Sequence, residues 1–250
     1  MRRSLWPVLL CALLLSTACS SGPGNAPAAS STTPADRSSG PPSGPSTAAP
    51  SAAAPEKLVE AAVEALSLRD RVEQLFLVGV PLDDLPSGDS LAENGMGGLF
   101  MAGRSAAPAT ELAETTRRWA DLAPGPAPWV AADQEGGAVQ TFRGPGFTRL
   151  PPATEQGALP PAELSALAAR MGEELAGAGV NLNLAPVADL VPAGTEAGNE
   201  PIGAFGRQYG TSAAAVTAAA GTIVDGLAAS GVTATLKHFP GLGRVAGNTD

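Results

Sequence analysis

The chain is poor in cysteine, in histidine and in positive charge. Cysteine occurs twice in 250 residues, as Cys11 and Cys19, both near the N-terminus. Neither lies in the part expected to fold, so a disulfide framework and a cysteine-based metal site are excluded there. A single histidine, His238, leaves zinc without a ligand set. The formal net charge of −9 excludes a surface built to grip nucleic acid or anionic lipid by charge. No apolar run is long enough to span a bilayer as a stable helix. No internal repeat appears at solenoid periods.

What is present begins with a leader. Residues 1–20 read MRRSLWPVLLCALLLSTACS: two arginines, a short apolar core, then small residues. That is the pattern of a secretory signal peptide. Its ending, Ser16-Thr17-Ala18-Cys19, resembles the lipobox of bacterial lipoproteins, where cleavage before the cysteine precedes its acylation. Serine three places before Cys19 departs from the usual leucine. The expectation is a signal peptide over residues 1–18, lipidation at Cys19, and anchoring to the outer face of the bacterial cell membrane through that lipid alone. Losing Arg2 and Arg3 makes the mature chain two charges more negative than −9. Residues 19–55 are almost wholly Ser, Gly, Pro, Ala and Thr. Such a segment cannot bury enough apolar surface to offset ordering entropy, so it is expected to be a disordered tether. As a flexible coil it would reach on the order of 30 Å.

From residue 56 the pattern alternates between strands and helices. LFLVGV (75–80), GGLFMAG (97–103), PWVAAD (128–133), NLNLAPV (181–187) and TATLKHF (233–239) are short apolar runs bounded by Gly, Pro or Asp. They read as buried parallel strands. Between them, Ser67 opens a helix with a Ser-x-x-Asp capping pattern, and Thr110 is expected to cap ELAETTRRWADLA. Leu164, Leu167, Met171 and Leu175 share one helical face, as do Val216, Ile223 and Leu227. Alternating units of this kind mean an α/β fold. At roughly 40 residues per unit, a barrel of eight needs on the order of 300 residues. The expectation is therefore a (β/α)8 TIM-type barrel over residues 56–250, truncated after about five strands.

In such barrels functional groups gather where strands end. Those ends carry Asp133, Gln134 and Glu135, then Asp189, then Lys237 and His238, with Arg207 in the long loop 192–210. Carboxylates and an arginine suit a hydroxyl-rich ligand. A Ser-His-Asp triad has no Gly-x-Ser-x-Gly elbow here. The glycines at 241, 243 and 247 approximate a dinucleotide loop, but Pro240 precedes them and Asn248-Thr249-Asp250 follows, which is turn chemistry.

Four motifs occur in order: DQEGGAVQTFRGPGFTRLP (133–151), NLNLAPVADL (181–190), IGAFGRQYG (202–210) and KHFPGLG (237–243). Together they resemble the N-terminal barrel of glycoside hydrolase family 3, in its β-N-acetylhexosaminidase branch. The resemblance implies hydrolysis of terminal β-linked N-acetylglucosamine by a retaining mechanism, with cell-wall and muropeptide fragments as substrate. It implies that Asp133, Arg207, Lys237 and His238 bind the sugar, and that no cofactor takes part. Two readings stand beside it: a non-catalytic sugar-binding lipoprotein, and β-glucosidase specificity on the same barrel. The Lys-His-Phe-Pro-Gly-x-Gly loop argues against the second.

Three departures from the family pattern bear on mechanism. Thr141 stands where an arginine is common, with Arg143 no simple substitute. Leu242 replaces a histidine. The strand-five loop usually ends Asp-Ser-His, an Asp–His dyad that serves as general acid/base, whereas this chain has Asn248-Thr249-Asp250. Asp250 is thus the candidate proton donor. The family nucleophile is an aspartate on a later strand, expected beyond Asp250, so this stretch alone is expected to be inactive.

Overall fold

A computed structural model describes residues 55–247. The leader, Cys19, the tether to residue 54, and Asp250 lie outside the described residues.

Helices α1 (Pro55–Ala65) and α2 (Leu68–Glu73) precede the first strand, β1 (Leu77–Pro81). Ser67 caps α2 as its sequence predicts: its hydroxyl accepts from the Asp70 amide at 3.2 Å, and the Asp70 carboxylate accepts from the Ser67 amide at 3.2 Å. A short helix, α3 (Ser87–Glu93), then leads to β2 (Gly98–Ala102). Its sequence, SGDSLAE, is polar and buries only Gly88 and Ala92, too little to register as apolar periodicity. Helix α4 (Ala109–Leu122) follows, then β3 (Trp129–Ala132). Here the expected Thr110 cap is corrected: Pro108 is the N-cap and contributes no side-chain bond, while Thr110 lies inside the first turn. Proline's fixed φ already suits a helix start.

Two short strands, β4 (Gln134–Gly136) and β5 (Val139–Gln140), form an antiparallel hairpin directly after β3. Helices α5 (Ala153–Gln156) and α6 (Pro161–Gly177) lead to β6 (Leu182–Asn183). The long loop holds two 3-10 turns, Glu196–Gly198 and Gly203–Phe205. Helix α7 (Ala213–Ala229) and β7 (Thr233–Ala234) complete the series. The last two strands are shorter than the runs 181–187 and 233–239. Pro186 lacks the N–H a ladder needs, and beyond the paired residues the isolated bridge Val187–Lys237 continues the pairing.

The main sheet is parallel, in the order β1-β2-β3-β6-β7. Strand order following chain order, with every crossover made by a helix, is the arrangement of a parallel α/β barrel wall. The structure is a partial barrel of this class. Register places Val80 beside Met101 and Leu99 beside Val130, so one face of the sheet carries Val80, Leu99, Met101, Val130 and Ala132. These are buried against Leu112 and Trp119 of α4, Met171 and Leu175 of α6, and Ile223 and Leu227 of α7. Burying each large side chain of this set contributes about 1.5–3 kcal/mol. The opposite face carries Leu77 and Trp129, flanking Gly98, and both are exposed. Among the described residues no helix is long and apolar enough to cross a membrane.

Candidate active site

The strand ends converge as the barrel geometry requires, and a hairpin sets their positions. Asp133 follows β3, and its carbonyl accepts from the Thr141 amide at 3.0 Å and the Thr141 hydroxyl at 2.8 Å. Gln134 trades backbone bonds with the Asn183 side chain: its amide donates to Asn183 Oδ1 at 3.0 Å, and its carbonyl accepts from Nδ2 at 3.1 Å. The turn demands glycine at Gly137, where φ is +55° and a Cβ would lie 2.9 Å from Pro152. Thr141, one of the departures from the family pattern, is therefore a hairpin fastener, buried against Asp133.

On this frame six charged or titratable side chains form one chain of contacts. Lys237 donates to Asp133 Oδ1 and to Glu135 Oε1, each at 2.6 Å. Glu135 also receives Arg207 through two donors, Nη2 to Oε1 at 2.7 Å and Nε to Oε2 at 2.9 Å. Arg207 spends Nη1 on the Pro201 carbonyl at 2.7 Å, and its Nη2 lies 3.4 Å from His238 Nε2. His238 Nδ1 meets Asp189 Oδ2 at 2.6 Å. The other Asp189 oxygen accepts from the Leu242 amide at 2.6 Å, tying the histidine and the following loop to one carboxylate.

These contacts select the histidine tautomer. A carboxylate only accepts and a guanidinium only donates, so Nδ1 carries the proton toward Asp189 and Nε2 presents its lone pair toward Arg207. The group is thus a hydrogen-bonder held in one orientation between a carboxylate and a guanidinium. Nearby, Tyr209 is buried, and desolvation together with the Glu135 charge pushes its hydroxyl above the ordinary tyrosine range.

Exposure separates the three acids and the histidine by task. The Glu135 and Asp189 side chains are 4% and 1% exposed, whereas Asp133 and His238 are 29% and 26% exposed. The first pair holds its neighbours in place and the second pair faces the cleft. A cavity of about 490 Å³ lies against Asp189, Lys237, His238 and Phe239, and a smaller one of about 160 Å³ is lined by Asp133, Thr141 and Arg104. Among the described residues no group of three or more His, Cys, Asp or Glu is arranged to hold a metal ion.

Four residues named from the sequence, Asp133, Arg207, Lys237 and His238, come together. Cys19 and Asp250 fall outside the described residues. Sequence reasoning left Glu135 and Asp189 without partners. Their strand-end positions were the available signal, but the contacts cross 72 and 49 residues of chain.

A parallel barrel wall with acids and cations joined at the ends of its strands belongs to the TIM-barrel class of enzyme domains. The particular family follows from comparison: residues 67–250 match the glycosyl hydrolase family 3 N-terminal domain, and the chain belongs to that family. It is 34% identical to a beta-hexosaminidase of Stenotrophomonas maltophilia strain R551-3, over 70% of this chain and 52% of that one. Among solved structures it resembles the beta-N-acetylhexosaminidase of Beutenbergia cavernae, with 47% identity and a TM-score of 0.68, covering 74% of this chain and 57% of that one. The family 3 beta-N-acetylglucosaminidase of Paenibacillus sp. str. FPU-7 matches at 30% identity and a TM-score of 0.64, over 74% and 35% of the two chains. The chain thus spans about half the length of the curated relatives it matches, at 52%.

Proposed function

We propose that this domain provides the saccharide-binding part of a β-N-acetylhexosaminidase that releases terminal β-linked N-acetylglucosamine from cell-wall fragments, muropeptides among them. The reading is supported most by the division of exposure in the site. Asp133 and His238 are open to the cleft while Glu135 and Asp189, buried, hold the groups beside them. Lys237 has three donors and spends two on Asp133 and Glu135, leaving one for a sugar hydroxyl. Asp133 accepts from sugar hydroxyls, and Arg207 and His238, held against one another, complete the binding set.

The mechanism proposed is retaining, with two carboxyl groups roughly 5 Å apart on either side of the glycosidic bond. Asp133 and Glu135 are engaged by Lys237 and Arg207, which suits them to binding and positioning rather than to nucleophilic attack. Asp250 is the proposed acid/base, and the nucleophile is an aspartate on a strand beyond those described. The same proposal has residues 1–18 as leader, Cys19 as the lipidated residue, residues 19–55 as tether and residues 56–250 as barrel. The protein is then exported and held at the outer face of the membrane by its lipid, beside its substrate.

The test is hydrolysis of a chromogenic N-acetyl-β-glucosaminide and the matching β-glucoside by the intact native protein, with the first-formed anomer followed by NMR. Preferential release from the N-acetylglucosaminide with a β-anomer supports the proposal. Saturable binding without turnover favours a non-catalytic sugar-binding lipoprotein. Preference for the glucoside moves the specificity to β-glucosidase.

A further inference from the structure

Two guanidinium groups converge on one backbone carbonyl at the edge of this site. Arg104 leaves β2 through Gly103, whose φ is +107°, and its Nη2 donates to the Ala138 carbonyl at 2.8 Å. Arg143 reaches the same carbonyl at 3.3 Å and the Gly137 carbonyl at 3.4 Å, with its Nε anchored on the Gln140 carbonyl at 3.0 Å. Backbone pairing holds the two segments together. The Ser105 amide donates to Thr141 and the Arg143 amide to Ser105, each at 2.9 Å. The segments pack so closely that a Cβ at Gly144 would collide with the carbonyls of Ala106 and Ala107.

The charge here is uncompensated. Among the described residues, Arg104, Arg143 and Arg149 form no ion pair with a carboxylate. Burial, and then the charges of Arg149 and Arg104, push Arg143 below the usual arginine range. Like charges gathered this way repel, and an anion bound between them relieves that repulsion. The Arg104 end of the cluster opens on the ligand side, where it lines the cavity of about 160 Å³ that Asp133 also lines.

We propose that Arg104 and Arg143 form an anion subsite beside the Asp133 sugar contact, taking a carboxylate or phosphate carried by the bound saccharide. A planar guanidinium matches either oxyanion through paired N–H donors. The subsite rests on the saccharide reading above and makes it more specific: the preferred ligand is an acidic N-acetylglucosaminide rather than a neutral one.

The experiment is calorimetric titration of the intact protein with sulfur-linked N,N′-diacetylchitobiose, which resists hydrolysis, with its aldonate, which adds a carboxylate, and with inorganic phosphate. The aldonate is expected to bind roughly tenfold tighter than the neutral disaccharide, with that ratio shrinking at high salt. Arg104→Gln and Arg143→Gln are expected to bring the ratio to about one, while Arg117→Gln, on the exposed face of α4, keeps it. Equal affinities in the native protein, or a preference that survives both site substitutions, overturn the subsite. Binding of neither saccharide overturns the sugar reading and the subsite together. Phosphate binding that depends on Arg104 while neither sugar binds identifies a free-anion site in its place.

Discussion

Glu135 and Arg207 are joined by two parallel hydrogen bonds, 2.7 Å and 2.9 Å long, across a span of 72 residues. The carboxylate also meets Lys237 at 2.6 Å, with 4% of its own side chain exposed. One buried anion therefore orients two cations that the proposed function assigns to the sugar. Removing it leaves those cations without their shared partner. Glu135→Ala is expected to lower unfolding free energy by about 3–5 kcal/mol, the range for breaking a buried pair from one side. Denaturant midpoints at constant slope check this; a change under about 1 kcal/mol would show that water readily replaces the carboxylate.

Asp189 joins His238 to the loop that follows it, one oxygen on each. In Asp189→Asn the amide oxygen can accept from only one of these donors, and the amide nitrogen faces the other. Faster hydrogen exchange at the Leu242 amide is expected, together with a loss of sugar affinity of about 10-fold or more, in line with losing a charged hydrogen bond of about 1.5–3 kcal/mol. Unchanged exchange at Leu242 would mean the loop is held by other contacts.

Lys237 bridges Asp133 and Glu135 and keeps one donor over. Lys237→Met retains much of the aliphatic stem and removes all three donors. Saturation titration with N-acetylglucosamine is expected to show affinity lower by about 10- to 100-fold, again from a charge-assisted bond of about 1.5–3 kcal/mol. Equal affinity would remove Lys237 from the binding set.

Tyr209 gives the pH dependence of the fold a definite sign. Burial first, and the Glu135 charge second, raise its hydroxyl above the ordinary value of 10.0. The unfolded chain therefore loses this proton at lower pH than the folded one, and binds fewer protons once the pH passes about 10. The contribution is intact below that pH and is lost as pH rises through the folded value. Thermal midpoints from pH 9 to 11 should fall in the native protein, and Tyr209→Phe should flatten that decline. Parallel curves for the two proteins would assign the alkaline loss elsewhere.

The class of fold, most strand positions and the grouping of the candidates Asp133, Lys237 and His238 were legible in the sequence because they depend on local rules. Apolar runs bounded by Gly, Pro and Asp mark strands wherever they fold, and Ser67 caps its helix through a residue only three positions away. Strand-end residues of a parallel barrel share one end of the sheet, so Asp133, Lys237 and His238 needed no long-range information to be grouped. The hairpin after β3 and helix α3 escaped the same rules, because their residues are polar and their pairing is short. Thr110 failed as a cap because Pro108 ends the preceding chain in a geometry that already starts the helix.

What only the tertiary structure decided is which charge meets which. Glu135 and Asp133 are both carboxylates, two residues apart, yet one is buried under Arg207 and Lys237 while the other faces the cleft. Asp189 and His238 find each other across 49 residues, and that contact sets the histidine tautomer. Arg104 and Arg143 meet at one carbonyl because Ser105, just past β2, pairs with the segment just past the hairpin. Periodicity and capping act within a few residues of chain and can be read from order alone. Ion pairing and desolvation act through space, and their sign is settled only when the barrel wall has brought distant strand ends together.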